Sequence, residues 1–201
     1  MDNTDIKKKE IINILSRSND RLIAGSGEKD ILSELENTDI PGHNDEQWKK
    51  TDLEKVLNHT YTSGEKLEIP DEYINTFEFY GLESDRVVFV NGHFSKENSS
   101  IHQNSESIKI GSLKHAKEEK DAVFSEYFNS GKLHKDNFFS VLNTAFSHDG
   151  AYINIPDNTL IEKPIHIVNF IHGNNNKVFS QSRNLIVVGK NSRVKIIATF
   201  H

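Results

Sequence analysis

The residues best able to do chemistry are the ten histidines: His43, His59, His93, His102, His115, His134, His148, His166, His172 and His201. A metal site draws on close sets such as H-E-x-x-H, or on histidines one helical turn apart beside a carboxylate. These histidines are scattered and make no such pattern. His166 and His172, with Val168 and Phe170 between them, share one face of an extended segment. A metal held there would need further ligands from other strands. The spacing therefore predicts solvated or hydrogen-bonded histidines. Cysteine is absent, which excludes disulfides, thiolate zinc sites, cysteine nucleophiles and cysteine-ligated clusters within these residues. Serine, histidine and aspartate are all present, but no G-x-S-x-G elbow presents a serine as a nucleophile. Gly25-Ser26-Gly27-Glu28-Lys29 superficially looks like a phosphate loop. It lacks the G-x-x-x-x-G-K-[ST] spacing, and no strand precedes it. No catalytic, cofactor-binding or metal residue is assigned, and no enzyme is read here.

Charge narrows the partners. The chain has 24 basic and 30 acidic residues among 201, a net charge of −6. A duplex-binding domain shows a basic excess on one face, so nucleic acid is not expected as a main partner. The Lys7-Lys8-Lys9 run reads as a solvated helix face. No stretch approaches the roughly 20 apolar residues of a membrane span. The acidic, lysine-rich start has no signal-peptide core. A cytoplasmic protein is expected, in which Asn58-His59-Thr60 and Asn98-Ser99-Ser100 match the glycosylation pattern by chance.

The elements that carry these residues change character along the chain. Helical spacing runs over 4–24 through Ile6, Ile11, Ile14, Leu15, Leu22 and Ile23, and again over 28–37. Trp48, the only tryptophan, is expected to pack the N-terminal helices. Residues 86–90 predict a strand closed by Asn91-Gly92, a tight turn that needs positive φ. A weak strand follows over Ser107–Leu113, then helices over 114–132 and 138–146. At Asp149-Gly150 the apolar period falls from near 3.6 to 2. Ile153, Ile155, Ile165, Ile167, Leu185, Val187, Val194 and Ile196 are expected to point mainly inward. Pro164 opens one strand, where its missing N–H does least harm. Four short strands separated by Asn/Gly/Asp turns fit a sandwich, a barrel or the coils of a β-helix, and period alone does not choose. The expected domains are a helical region over 1–80, a mixed connecting region over 81–148 and a β core over 149–201. The last strand ends apolar at His201, so the natural sequence is expected to continue.

Four segments together resemble the SufB/SufD family of iron–sulfur cluster assembly proteins. Asp45-Glu46-Gln47-Trp48-Lys49-Lys50-Thr51-Asp52-Leu53 is similar to its N-terminal Glu-x-Trp-Lys signature, with Lys50 in place of an aromatic residue. Val87-Val88-Phe89-Val90-Asn91-Gly92-His93-Phe94-Ser95 is similar to its strand and turn. Phe138–Phe146 leads through Asp149-Gly150 and Ile155-Pro156 to Lys163-Pro164-Ile165-His166, as in the family's passage into its core. Ser182-Arg183-Asn184-Leu185-Ile186 resembles a further strand, with Ser182 replacing proline. The first two segments favour the SufD branch over SufB.

The resemblance implies an α+β chain: a helical N-terminal region followed by the first coils of a right-handed parallel β-helix, a β-solenoid. It also implies a non-catalytic scaffold that works with SufB and the ATPase SufC, in a complex that handles iron–sulfur clusters. No cofactor is implied for these residues, and the SufC-binding segment is expected beyond His201. Two alternatives stand beside this reading. One is the SufB paralogue. The other is a carbohydrate-active β-helix enzyme, for which Asp149, Asp157 and Glu162 lie mostly in turns and do not form the required carboxylate cluster.

Overall fold

The computed structural model describes residues 3–17, 21–22, 26–42, 45–77, 79, 81–103, 106–128 and 137–201. In chain order the elements are α1 (Asn3–Leu15), α2 (Ser26–Asn37), α3 (Leu53–Leu57), β1 (Tyr61–Ser63), α4 (Asp71–Asn75), β2 (Asp85–Val90), β3 (His93–Ser100), β4 (Lys109–Ser112), α5 (Leu113–Glu118), α6 (Ala122–Tyr127), α7 (Phe138–Phe146), β5 (Ala151–Ile155), β6 (Ile165–Phe170), β7 (Lys177–Phe179), β8 (Leu185–Val188) and β9 (Ile196–Phe200). They form two compact units, each assembled from three separate stretches of chain.

The first unit comprises Met1–Gly64, Lys132–Ser147 and Gly173–Gln181. Its core is helical. Ile11 and Leu15 of α1, Ile31 and Leu35 of α2, and Leu57 of α3 pack with Phe138, Val141, Leu142, Ala145 and Phe146 of α7. α7 forms because apolar residues fill one side and Asn137 caps its start, accepting the Ser140 N–H at 3.2 Å. Lys8 is buried and closes the end of α2, its ammonium donating to the Glu36 and Thr38 carbonyls at 2.7 Å each. The first helix ends at Leu15, short of the expected 24. A polar run from Ser16 follows it, and Leu22 instead donates its backbone N–H to the Ser147 carbonyl at 2.8 Å. Ile23 and Gly25 lie outside the described residues. A short parallel pair, β1 with β7, completes the unit.

The second unit comprises Glu65–Gly131, His148–His172 and Ser182–His201. It contains a four-stranded sheet in the order β3-β2-β6-β9 and a three-stranded sheet in the order β4-β5-β8. Their facing sides share one core of Val87, Phe89, Ile110, Ala151, Ile153, Ile155, Ile161, Ile165 and Ile167. The other side of the four-stranded sheet carries Val88, Val90, Val168 and Phe170, covered by Ile74 of α4 and by Leu67, Ile69 and Phe77. β2 and β6 are therefore buried on both faces, which is why their sequences are nearly continuous apolar runs. The expected helix over 114–132 is two helices. Lys120 takes a left-handed φ of 55°, and Asp121 caps α6 by accepting the Phe124 N–H at 2.9 Å.

The right-handed parallel β-helix implied for residues 149–201 is corrected by the strand pairings. β2–β3 and β4–β5 are antiparallel, and they share their sheets with the parallel pairs β2–β6, β6–β9 and β5–β8. The sheets are mixed, and among the described residues the strands do not make a solenoid. Strands of 85–112 supply two of the four strands of one sheet and one of the three of the other, so the late strands do not stand as a separate coil. The inward set fits the structure in large part: Ile153, Ile155, Ile165 and Ile167 are buried, Val194 and Ile196 pack against them, and Leu185 and Val187 are half-buried. No helix among the described residues is long and apolar enough to cross a membrane.

Candidate functional site

The motif residues are engaged in holding the chain together. Trp48 is half-buried against Phe139 of α7, their ring centres 5.1 Å apart. Asn91 and Gly92 have φ of 51° and 83°, the left-handed values their turn requires. Asn91 is also buried: its amide donates to the Glu65 and His172 carbonyls at 3.0 Å, and its side-chain oxygen accepts the His172 N–H at 2.9 Å. Asp149 accepts from the Ser112 hydroxyl at 2.9 Å, the Lys114 N–H at 3.0 Å and the Gly150 N–H at 2.8 Å. A Cβ on Gly150 would land on the Arg183 carbonyl, so only glycine lets these backbones approach. Asn184 accepts the Ala151 N–H at 2.7 Å, and the Arg183 guanidinium sits 4.7 Å from the centre of the Phe128 ring.

The histidines are dispersed through the structure as well. His43 and His134 lie outside the described residues. His59 meets the Tyr61 ring edge-on, and His93 stacks on His148 at 4.3 Å. His115 pairs with Glu119 at 3.2 Å. His166 is buried, with Nε2 2.9 Å from the Thr199 hydroxyl. It shares a face with Val168 and Phe170, whereas His172 lies beyond the end of β6 and is exposed. His201 packs on Phe77 and Phe170. Among the described residues no three His, Asp or Glu side chains are grouped so as to hold a metal.

The best-formed polar constellation was not foreseen from sequence. A cleft of about 450 Å³ is lined by Lys109, Ile110, Gly111, Ser112, His115, Ala116, Glu119 and Tyr152. Two of these lining residues meet at Asp121, which receives the Lys109 ammonium on one oxygen and the Tyr152 hydroxyl on the other, both at 2.6 Å. Burial pushes the Asp121 carboxyl up. The hydrogen bonds from Lys109, Tyr152 and the Phe124 N–H outweigh it and hold the group at about 2. Tyr152 is pushed far up, first by burial and then by Asp121, while the hydrogen bond to Asp121 raises Lys109. At neutral pH the cleft therefore holds a fixed Lys⁺–Asp⁻ pair and a neutral phenol. None of the three can trade protons near pH 7, so the arrangement orders structure or ligand and is unsuited to acid–base chemistry. Asp121 could have been found as a helix cap before Ala122. Its two partners, twelve and thirty-one positions away, carry no local signal.

A different kind of surface lies on β8 and β9. Each is the edge strand of its sheet, and Ile186, Val188 and Phe200 are exposed there, Phe200 at 74%. Unpaired edges with apolar side chains are the usual material of protein–protein contact.

Residues 11–167 match the family described as the SufBD protein N-terminal region. An iron–sulfur cluster assembly SufBD family protein of Synechocystis sp. is 28% identical over 174 residues, covering 87% of this chain and 38% of that protein. One of Staphylococcus haemolyticus is 27% identical over 150 residues, 71% of this chain and 31% of the relative. One of Trieres chinensis is 29% identical over 139 residues, 65% and 28%. The chain thus spans well under half the length of these relatives. With the match running from α1 into β6, the chain belongs to the SufBD family, in the part described as its N-terminal region.

Proposed function

We propose that this chain serves in a scaffold subunit of the iron–sulfur cluster assembly machinery. In this reading it is of the SufD branch, works in the cytoplasm beside SufB and the ATPase SufC, and performs none of the bond chemistry of cluster assembly. The observation that carries the reading is the family match over residues 11–167, with relatives named for iron–sulfur cluster assembly. The assignment to the SufD branch rests on the segments around Trp48 and Asn91-Gly92. A structural role agrees with the use of the motif residues, which cap, turn and staple.

The test is genetic. Cells depleted of the full-length protein should lose a large part of the activity of their cluster-dependent enzymes, and the wild-type gene should restore it. Unchanged activity of those enzymes under iron limitation would sink the proposal.

A further inference from the structure

Ser100 and His102 are two positions apart at the end of β3, so an extended backbone turns their side chains to the same side. The hairpin registers Ser100 against Arg86, which brings the end of β3 alongside Asp85, the first residue of β2. Asp85 is fully buried. One of its oxygens accepts the His102 backbone N–H at 2.6 Å and lies 3.2 Å from ring Nδ1. A carboxylate can only accept, so Nδ1 carries the imidazole proton and Nε2 presents its lone pair. Nε2 lies 3.5 Å from the Ser100 hydroxyl, the loose spacing seen when a nucleophile and its base wait for substrate. The other Asp85 oxygen, though buried, has no hydrogen-bond partner. The other charged groups at this end of the sheet are Arg86, registered against Ser100 and 3.7 Å from Asp71, and the Lys163–Glu83 pair, 2.8 Å apart, whose ammonium also feels Asp85. The His102 side chain is 67% exposed, so a reagent can reach it.

We propose that Ser100 is a nucleophilic hydroxyl, with His102 as its general base and Asp85 as the positioning residue, and that it accepts an acyl group from an activated ester or thioester. The Ser100 oxygen attacks the carbonyl carbon while its proton passes to His102 Nε2. The adduct collapses, the bond from carbon to the leaving oxygen or sulfur breaks, and the leaving group takes the proton from Nε2. The product is an O-acyl ester on Ser100, with no change of oxidation state. This covalent site uses residues for which the scaffold role has no need, and it stands or falls independently of that role.

The experiment treats the 201-residue chain with p-nitrophenyl acetate and follows acetylation by intact-mass measurement and peptide mapping. Ser100 should acetylate about 100-fold faster than the other exposed serines, the scale of general-base assistance. Its rate should rise with pH through a single titration. Ser100→Ala should remove that acetyl group. His102→Gln should lower the rate by about 100-fold and abolish the titration. Ser100 is half-buried and His102 exposed, and circular dichroism with a thermal melt checks that each variant keeps the fold. Asp85→Asn, where it folds, should leave Ser100 in place but slow it. Acetylation of Ser100 no faster than that of other serines, or an unchanged rate and pH profile in His102→Gln, overturns the proposal.

Discussion

Burial alone would keep a carboxyl such as Asp121 neutral, yet three hydrogen bonds hold it ionised down to about pH 2. A group with a depressed folded value stabilises the fold above its unfolded value, 3.8 here, and that stabilisation is lost as pH falls through about 2. The window is therefore pH 4 to 2, and the amount is about 2 kcal/mol. Asp121→Ala removes the cap of α6 and leaves Lys109 and the Tyr152 hydroxyl unmatched, so it should cost about 2–4 kcal/mol at pH 7. Urea unfolding of both proteins between pH 2 and 5 should show the gap narrowing as pH falls, and a constant gap would refute the assignment. Gly150 makes a second residue-level claim. Alanine there meets the Arg183 carbonyl and should destabilise by about 3 kcal/mol, where an alanine at Gly111, which faces open space, should cost little. At this scale the sequence was legible where the chemistry is local. Asn91-Gly92 announces its own turn. The meetings of Asp121 with Tyr152, and of Asp85 with His102, depend on register between strands and were not legible.

The elements follow the same division. α7 was readable because its apolar residues recur at helical spacing within one short stretch, whereas its Asn137 cap was found only in the structure. Its centre is part of the core of the first unit. Leu142 is fully buried, and Leu142→Ala should cost about 3 kcal/mol by loss of contact and the cavity left behind, measured by chemical denaturation. Four of the five strands over 151–200, all but β7, were also readable as strands. Their partners were not, because a period of two is the same in parallel and antiparallel sheets. β2 and β6 blurred it further, since both faces are buried. The two turns at Asn158 and Asn191 show how neighbouring strands keep step. Both residues have φ of 56°, and the Asn191 amide donates to the Asn158 side-chain oxygen at 3.2 Å. At the edges, Val188 and Phe200 contribute exposed apolar surface that no strand covers. The pair Val188→Lys and Phe200→Lys should lower self-association of this chain in light scattering while leaving its unfolding midpoint nearly unchanged. Equal scattering from both proteins would show that these edges are not the sticky surface.

At the scale of the whole molecule, the chain belongs to the SufBD family, and a scaffold role in iron–sulfur cluster assembly is the proposal that joins this to the structure. That proposal draws on motif residues that turn and pack the chain, and on the charges held fixed at Lys109 and Asp121. The family was legible because its motifs occupy turns and caps, where particular residue types are indispensable. The segments around Trp48 and Asn91-Gly92 favour the SufD branch, while the family match itself covers SufB and SufD alike. The most direct measurement is native mass spectrometry of the full-length protein, affinity-purified from its own cells under gentle conditions. The expected result is a discrete assembly that contains a SufC-type ATPase and a SufB-type subunit with this protein. Recovery of the protein alone, or in an assembly without either subunit, would contradict the account.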